Sequence, residues 1–209
     1  MSRINTEYHS EYRQDAKKKI IAAALNVAAE HGWDAVTLDA IAQNIGVTKP
    51  ALYSYFKNRE ALLREVTLEV IRNIQTGLGT TLAYDNDIHR IIRDLAELLF
   101  EQQKPYANIF FQLPIRLRQD PKNREEFTHL FDNNRIIIRD CLVRVKTQGV
   151  MLQKVDPDTA ASMIIAMTMG LLTSSDVLKI DINVAKKIWI DTVERYLLIG
   201  PNVRSRHDT

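Results

Sequence analysis

The stretch 37–63 constrains the fold more than any other part of the chain, because its pattern predicts two short helices joined by a tight turn. Ile41, Ala42 and Ile45 have the i, i+1, i+4 spacing of one helix face. Gly46 follows at the position where this helix must end, and glycine readily adopts the left-handed conformation that a sharp turn requires. The pattern therefore predicts a short helix, a turn at Gly46 and a second helix directly after it.

The second helix has start signals of its own. Thr48 is a suitable N-cap, and Pro50 in the first turn sacrifices no hydrogen bond because N–H groups there are unpaired in any helix. Leu52 and Phe56 lie four residues apart and are expected to point inward. The outer face is left to Lys49, Ala51, Tyr53 and Tyr55. A helix-turn-helix of this kind reads DNA through the outer face of its second helix.

Several groups of residues in the stretch 20–63 form a wider pattern: His31-Gly32-Trp33, Val36-Thr37-Leu38, Gly46-Val47 and Leu52-Tyr53-Ser54-Tyr55-Phe56. In this order and spacing they resemble the DNA-binding domain of the TetR/AcrR family of bacterial transcriptional regulators. The resemblance covers about the first third of the chain. It implies an all-α protein that consists of an N-terminal three-helix DNA-binding domain and a C-terminal helical domain for ligand binding and dimerisation.

Eight residues are the predicted DNA contacts. Thr37 and Thr48 stand at helix starts, where free N–H groups bind phosphate, although helix capping alone would also explain them. Lys49 can donate to guanine O6 or N7 from the front of the second helix, or bind phosphate instead. The resemblance implies that the hydroxyl groups of Tyr53 and Tyr55 bond backbone phosphates. The remaining candidates, two apolar contacts for a thymine methyl and one cation for a phosphate, are Pro50, Ala51 and Lys57.

The overall charge gives little support for an anionic partner. The formal net charge is +2 at pH 7, and residues 1–60 contain eight Lys or Arg against seven Asp or Glu, a difference of +1. Attraction to phosphate must therefore come from local placement. The dense run Lys17–Lys19 is either a solvated helix start or an arm that contacts phosphate or the minor groove.

The sequence lacks the common motifs of enzymes and of cofactor- or metal-binding proteins. The sequence contains no Gly-rich phosphate loop, G-x-S-x-G, HExxH or CxxC pattern, so we expect neither an enzyme nor a cofactor. His89 and His129 have no second ligand at helical spacing, and no metal site is expected. Cys141, the single cysteine, lies in an apolar pattern and is expected to be buried. The N-terminus has no apolar signal core and no apolar run approaches ~20 residues, so we expect a cytoplasmic protein.

Glycine and proline divide the chain into about nine predicted helices. These cover 15–31, 38–45, 49–55, 59–75, 88–103, a helix from 105 with an interruption at Pro114, 121–149, 159–178 and a helix from 184. We expect two domains. Residues 1–62 would form the helix-turn-helix DNA-binding domain, and residues 63–209 would bind an effector and form the dimer. The boundary would fall within the helix over 59–75.

The last two helices carry more apolar residues than one core-facing stripe requires. A short recognition helix makes few base contacts, so two copies on a two-fold axis are expected. The resemblance implies that the last two helices pair with those of a second copy as a four-helix bundle. Burial within a monomer is the alternative. The predicted homodimer interface contains Ile164, Leu171, Ile188, Thr192 and Tyr196.

Aromatic and methionine residues of the C-terminal domain suit the wall of a pocket for a small lipophilic effector, although they could equally be ordinary core. The candidate ligand-binding residues are Phe100, Tyr106, Phe110, Phe111, Phe127, Phe131, Met163 and Met167. The sequence thus predicts a homodimeric repressor that a small-molecule effector releases from a palindromic double-stranded DNA operator. The alternative is a ligand-independent DNA-binding or adaptor protein on the same fold, whose C-terminal domain would pack without a cavity.

Overall fold

The computed structural model describes residues 3–83, 87–102 and 121–199. The described residues form eight α-helices and no strand, which confirms the all-α prediction. In chain order they are α1 Arg3–His31, α2 Leu38–Asn44, α3 Lys49–Tyr53, α4 Arg59–Leu82, α5 Ile88–Glu97, α6 Pro121–Thr147, α7 Pro157–Leu178 and α8 Ile182–Glu194. The predicted helix that begins at Pro105 and its interruption at Pro114 lie outside the described residues.

Two helices are longer than the sequence predicted. α1 begins at Arg3 instead of near residue 15, since the polar stretch before residue 15 contains no glycine or proline that would stop a helix. α4 continues to Leu82 instead of ending before Gly77. A Cβ atom at Gly77 would lie 2.7 Å from Cδ1 of Leu98, so this glycine serves a close approach between helices and does not end one.

By its internal contacts the chain divides into Met1–Ile71 and Arg72–Thr209, and the division falls within α4. The N-terminal unit packs α1 against α2 and α2 against α3. Its core combines the inner face of α1 with apolar residues of the three helices that follow and with Phe56, which lies between α3 and α4. These core residues are 0 to 8% exposed: Ile20, Ala23, Ala24, Leu25, Val27, Ala28, Ile41, Ala42, Leu52, Phe56, Leu62, Leu63 and Val66.

Arg59 ties the start of α4 to the short 3-10 turn Trp33–Ala35 and the residue after it. Its Nε donates to the carbonyl oxygen of Val36 and its Nη2 to that of Trp33, both at 2.7 Å. The guanidinium group therefore satisfies two main-chain acceptors across a sequence separation that no local pattern reveals. Arg59 thus connects the start of α4 to the segment 33–36.

We expect Arg59→Met to lower the free energy of unfolding of the N-terminal unit by about 1–3 kcal/mol, because two carbonyls lose a charged donor while the side-chain stem is kept. Arg59→Lys is the matched control. It keeps the charge but not the fork, and should recover part of the loss. Urea denaturation followed by far-UV circular dichroism measures the effect, and equal midpoints for all three proteins would contradict the assignment.

Trp189 is the centre of the C-terminal unit. The side chain is fully buried, its ring meets the edge of Phe100 with centroids 6.0 Å apart, and its Nε1 donates to Oγ1 of Thr168 at 2.8 Å. α6 packs along α7, and α8 packs on both α5 and α7. α5 continues as a π-helical turn over Leu98–Gln102, which buries three consecutive residues that include Phe100.

Cys141 is 3% exposed, as predicted, and burial raises the pKa of its thiol. No helix in the described part of the chain is long and apolar enough to cross a membrane.

Candidate nucleic-acid interface and internal cavity

The turn between α2 and α3 has the predicted geometry. Gly46 has φ +70°, a left-handed conformation that other residues rarely adopt. The Val47 N–H bonds the carbonyl oxygen of Ala42 at 3.0 Å and closes the end of α2. Ala42 is only 2% exposed, and its small side chain lets α2 and α3 pack closely.

Both predicted N-caps are formed. Oγ1 of Thr37 accepts from the N–H of Ala40 at 3.1 Å, and Oγ1 of Thr48 accepts from the N–H of Ala51 at 3.4 Å. The caps orient the first turns of α2 and α3 and leave further N–H groups at each helix start. Phosphate binding at Thr37 and Thr48 stays a prediction.

The outer face of α3 is open to solvent. Leu52 and Phe56 are 1% and 2% exposed, so the inward pair is as predicted, whereas Tyr53 is 51% exposed. Tyr55 is half-buried because it follows the end of α3 in a turn, where its N–H bonds the carbonyl oxygen of Leu52. The other predicted contact residues of this face are all exposed: Thr48, Lys49, Pro50, Ala51 and Lys57.

Lys49 has an acidic neighbour that sequence reasoning missed. Its Nζ lies 2.6 Å from Oδ2 of Asp39 on α2, and both side chains are more than half exposed. A carboxylate at this position repels DNA phosphate and competes with DNA for the lysine. The ion pair therefore reduces the donor capacity that Lys49 can offer to DNA.

Arg13 supports the end of α3 from α1. Its Nη2 donates to the carbonyl oxygen of Ser54 at 3.0 Å, and its guanidinium lies 5.7 Å from the ring centroid of Tyr55. The arginine therefore holds Tyr55 in place through a cation–π contact. Sequence reasoning counted Arg13 only as an available cation, because its partners lie more than forty residues away.

The run Lys17–Lys19 is not one uniform basic surface. Lys17 turns toward α4, where its Nζ lies 2.9 Å from Oε2 of Glu65 and 5.8 Å from the ring centroid of Phe56. Lys18 and Lys19 are exposed. Only these two remain directed to solvent, and whether they contact DNA stays a prediction.

The C-terminal unit contains a partly open cavity of about 50 Å³. Its lining is apolar except for one amide and one hydroxyl: Ile74, Leu78, Leu99, Phe131, Asn134, Ile138, Ile164, Ile165, Thr168, Met169 and Leu172. Asn134 is 5% exposed, and its Oδ1 meets no hydrogen-bond donor among the described residues. Sequence reasoning missed Asn134, although it interrupts the apolar face of α6 between Phe131 and Ile138.

Four of the five predicted ligand-binding residues that the structure describes do not line this cavity. Phe131 lines the cavity, whereas Phe100 and Phe127 are buried in the core. Met163 and Met167 are half-buried but are absent from the cavity wall, which takes Ile164 and Thr168 from the same helix. The three other candidates lie outside the described residues: Tyr106, Phe110 and Phe111.

The candidate interface residues Ile188 and Thr192 lie on one face of α8, and both are exposed. Val184, one turn before Ile188, is 50% exposed, and Ile188 is 43% exposed. Tyr196 is half-buried and belongs to the π-helical turn Arg195–Ile199 that follows α8. The two predicted interface residues of α7 differ in their exposure. Leu171 is half-buried, but Ile164 is 1% exposed and faces the cavity, so the structure places it in the core of the monomer.

One histidine that the sequence left isolated has a partner. Nδ1 of His89 lies 2.8 Å from Oε1 of Glu194, which joins α5 to α8. Among the described residues no group of three or more His, Cys, Asp and Glu side chains is placed to hold a metal ion.

Residues 20–66 match the model for "Bacterial regulatory proteins, tetR family". The "HTH-type transcriptional activator FasR" of Mycolicibacterium smegmatis is 28% identical over 89 residues, which are 43% of this chain and 41% of that protein. The "Biofilm operon icaADBC HTH-type negative transcriptional regulator IcaR" of Staphylococcus epidermidis is 26% identical over 97 residues, 46% of this chain and 52% of that protein. The matches thus span about half the length of these relatives or less.

The fold extends the likeness beyond the N-terminal unit. The crystal structure of a putative transcriptional regulator from Saccharomonospora viridis in complex with choline has a TM-score of 0.76. The similarity covers 88% of this chain and 98% of that one, at 18% sequence identity. At this identity the comparison establishes the shared fold.

Proposed function

We propose that this chain, whose residues 20–66 match the tetR family of bacterial regulatory proteins, is a homodimeric repressor that a small-molecule effector releases from a palindromic operator. The observation that carries the DNA-binding part is the outer face of α3. It presents Lys49 and Tyr53 to solvent on a helix whose inner face is fully packed. A rigid helix with an open polar and aromatic face is what docking into the major groove requires.

The dimer is proposed from two properties of the chain. α3 has only five residues, so a single copy offers few base contacts and little advantage over competing genomic sites. α8 exposes the stripe that begins with Val184 and Ile188, and exposed apolar side chains in a row favour association. Two copies related by a two-fold axis would bury this stripe and present two recognition helices.

The effector is proposed from the cavity. A ligand-independent protein on this fold would be expected to pack its C-terminal domain without a cavity. The described C-terminal unit instead contains a cavity and, in its wall, an amide oxygen without a hydrogen-bond donor. The structurally similar regulator from Saccharomonospora viridis was solved with choline, which supports ligand binding by this fold.

The regulatory step is proposed to run through α4. Ile74 and Leu78 line the cavity, and the same helix begins at Arg59 in the N-terminal unit. A ligand that displaces these side chains favours a different position of α4. The spacing of the two recognition helices would then depart from the ~34–36 Å that matches one turn of B-DNA. A preference of a few kcal/mol for one state is sufficient to move the protein from mostly bound to mostly free.

Repression is proposed as the sign of regulation, because a protein that occupies an operator blocks polymerase without any further contact, whereas activation requires one. The relatives include both an activator and a negative regulator. A reporter gene behind the operator tests the sign: expression should fall when the protein is present, and a rise would establish activation.

Selection of bound sequences from random duplexes tests the function itself. The protein should enrich a palindrome with half-sites one helical turn apart. Enrichment of an asymmetric site, or no enrichment at low ionic strength, would contradict a dimeric DNA-reading protein.

Substitutions at Asp39 and Lys49 separate base reading from phosphate attraction. We expect Asp39→Asn to strengthen binding to non-specific duplex DNA about two- to fivefold, because a repulsive charge is lost and Lys49 is released. Lys49→Ala should change the base preference of the selected site if the lysine reads guanine. Fluorescence anisotropy and repeated selection measure the two effects. If Lys49→Ala lowers affinity but leaves the selected motif unchanged, the lysine contacts phosphate.

A further inference from the structure

We infer that the effector is a neutral, largely aliphatic molecule with one hydrogen-bond donor, and that Oδ1 of Asn134 receives this donor inside the cavity. The inference deepens the proposed function, since it names the chemical class of the effector and the residue that recognises it.

The amide oxygen of Asn134 lacks a hydrogen-bond donor in the described part of the chain. A buried polar atom without a partner is uncommon, because it has lost its hydrogen bonds to water and has formed none within the protein. Oδ1 of Asn134 is such an atom, on a side chain that is 5% exposed in the cavity wall. An amide oxygen accepts hydrogen bonds and donates none. A ligand that donates to this oxygen recovers the bond that folding left unmade.

The other polar group of the cavity wall is already engaged. The hydroxyl of Thr168 donates to the carbonyl oxygen of Ile164 at 2.7 Å and accepts from Nε1 of Trp189 at 2.8 Å. The Thr168 hydroxyl therefore has no further proton to donate to a ligand. A single water molecule would find few of the two to four polar partners that buried water needs, since apolar side chains form the rest of the described wall.

The absence of charged residues from the described cavity wall indicates the charge of the ligand. None of the described residues that line the cavity carries a formal charge. A carboxylate or an ammonium group would lose its hydration without gaining a counter-ion there, which is more costly than the loss of one neutral hydrogen bond. A hydroxyl or amide N–H on an apolar body avoids that cost. The geometry therefore favours a neutral alcohol or amide.

The size of the cavity adds a condition. Its volume of about 50 Å³ is a third of the ~150 Å³ that accommodates benzene in an engineered protein cavity. A chain of several carbons exceeds this volume, so it either extends through the open side of the cavity or displaces the wall. Met169 can change its rotamer readily, and Ile74 and Leu78 belong to α4. Binding of a ligand that displaces Ile74 or Leu78 is coupled to movement of α4, as the proposed release from DNA requires.

Four probes of matched length test the ligand class: 1-octanol, octanoate, octylammonium and 1-methoxyheptane, an ether with the heavy-atom count of octanol but no donor. Trp189 reports binding, because its indole is bonded to a residue of the cavity wall. Trp33→Phe removes the only other tryptophan, whose buried Nε1 meets no acceptor among the described residues. In this background, octanol should bind at least about tenfold more tightly than each of the other three probes.

Asn134→Leu tests the residue. The substitution keeps a similar volume and removes the unsatisfied oxygen, so the ligand-free protein should melt at a higher temperature. Octanol affinity should fall about tenfold, and the affinity for the ether should not fall. Asn133→Leu is the matched control. It makes the same change at the neighbouring, exposed position and should leave octanol affinity unchanged.

Tighter binding of octanoate or octylammonium than of octanol, equal binding of alcohol and ether, or no saturable Trp189 signal with octanol would each overturn the inference. The comparison of alcohol with ether uses no Asn134 variant and remains decisive if Asn134→Leu does not fold. Binding to the selected operator is measured separately without any probe. Operator binding without octanol binding therefore refutes only the ligand class, whereas loss of operator recognition refutes the proposed function.

Discussion

Ile188→Asp is expected to give a monomer that has lost at least about a hundredfold of the operator affinity. Ile188 lies on the exposed stripe of α8, and a carboxylate at the middle of a two-fold interface would face the same charge on the second copy. A monomer engages one half-site only, and each half-site alone supplies few base contacts. Sedimentation velocity measures the mass, and fluorescence anisotropy measures the affinity for the selected operator.

Asn183→Asp is the control for this experiment. It places a carboxylate on the same helix at an exposed position, about 140° around the axis from Ile188. The control protein should remain dimeric and bind the operator as the parent does. A dimer that survives Ile188→Asp with affinity within about threefold of the parent would place the association surface away from α8.

Lys57→Ala and Tyr53→Phe are expected to weaken binding about tenfold each, and equally for specific and non-specific duplexes, because phosphate contacts carry no sequence information. The dimer would present each residue twice. Lys57→Ala should therefore lower the slope of log affinity against log salt by about 2, whereas Tyr53→Phe removes a hydroxyl and leaves the slope nearly unchanged. Titrations at several salt concentrations give both quantities.

Lys154→Ala is the matched control for charge, because Lys154 is an exposed lysine in the connection between α6 and α7. Its loss should leave both the affinity and the salt slope of the parent. If Lys57→Ala behaves like Lys154→Ala, Lys57 does not reach the phosphates. If Tyr53→Phe changes the selected sequence, the tyrosine reads bases instead.

The parts of the interface that sequence alone predicted are those that local rules determine. Gly46 in a left-handed turn, the caps at Thr37 and Thr48, and the inward Leu52 each depend on neighbours within a few residues. Such positions are governed by backbone geometry and helix periodicity, which the order of residues reveals directly.

The parts that were missed depend on residues far apart in the chain. The ion pair of Lys49 with Asp39 and the bonds of Arg59 to the 33–36 segment join groups that no periodic pattern links. Gly77 illustrates a second difficulty. A glycine that ends a helix and a glycine that admits a neighbouring side chain look alike in sequence, and only the contact with Leu98 distinguishes them.

The cavity shows the limits of residue type as a guide. Aromatic and methionine residues were the predicted lining, yet Phe100 packs on Trp189 in the core and aliphatic residues form most of the wall. Aromatic side chains fill cores as readily as they line pockets, so their type does not separate the two roles. The informative residue is Asn134, because its buried Oδ1 meets no hydrogen-bond donor among the described residues.

Methylation interference on the selected operator tests the central claim most directly, because dimethyl sulfate marks guanine N7 in the major groove and adenine N3 in the minor groove. If two copies of α3 lie in successive major grooves, guanine methylation should block binding in two clusters whose centres are about 10–10.5 base pairs apart on one face of the duplex. A single cluster, or interference confined to adenine N3 in the minor groove, would contradict it.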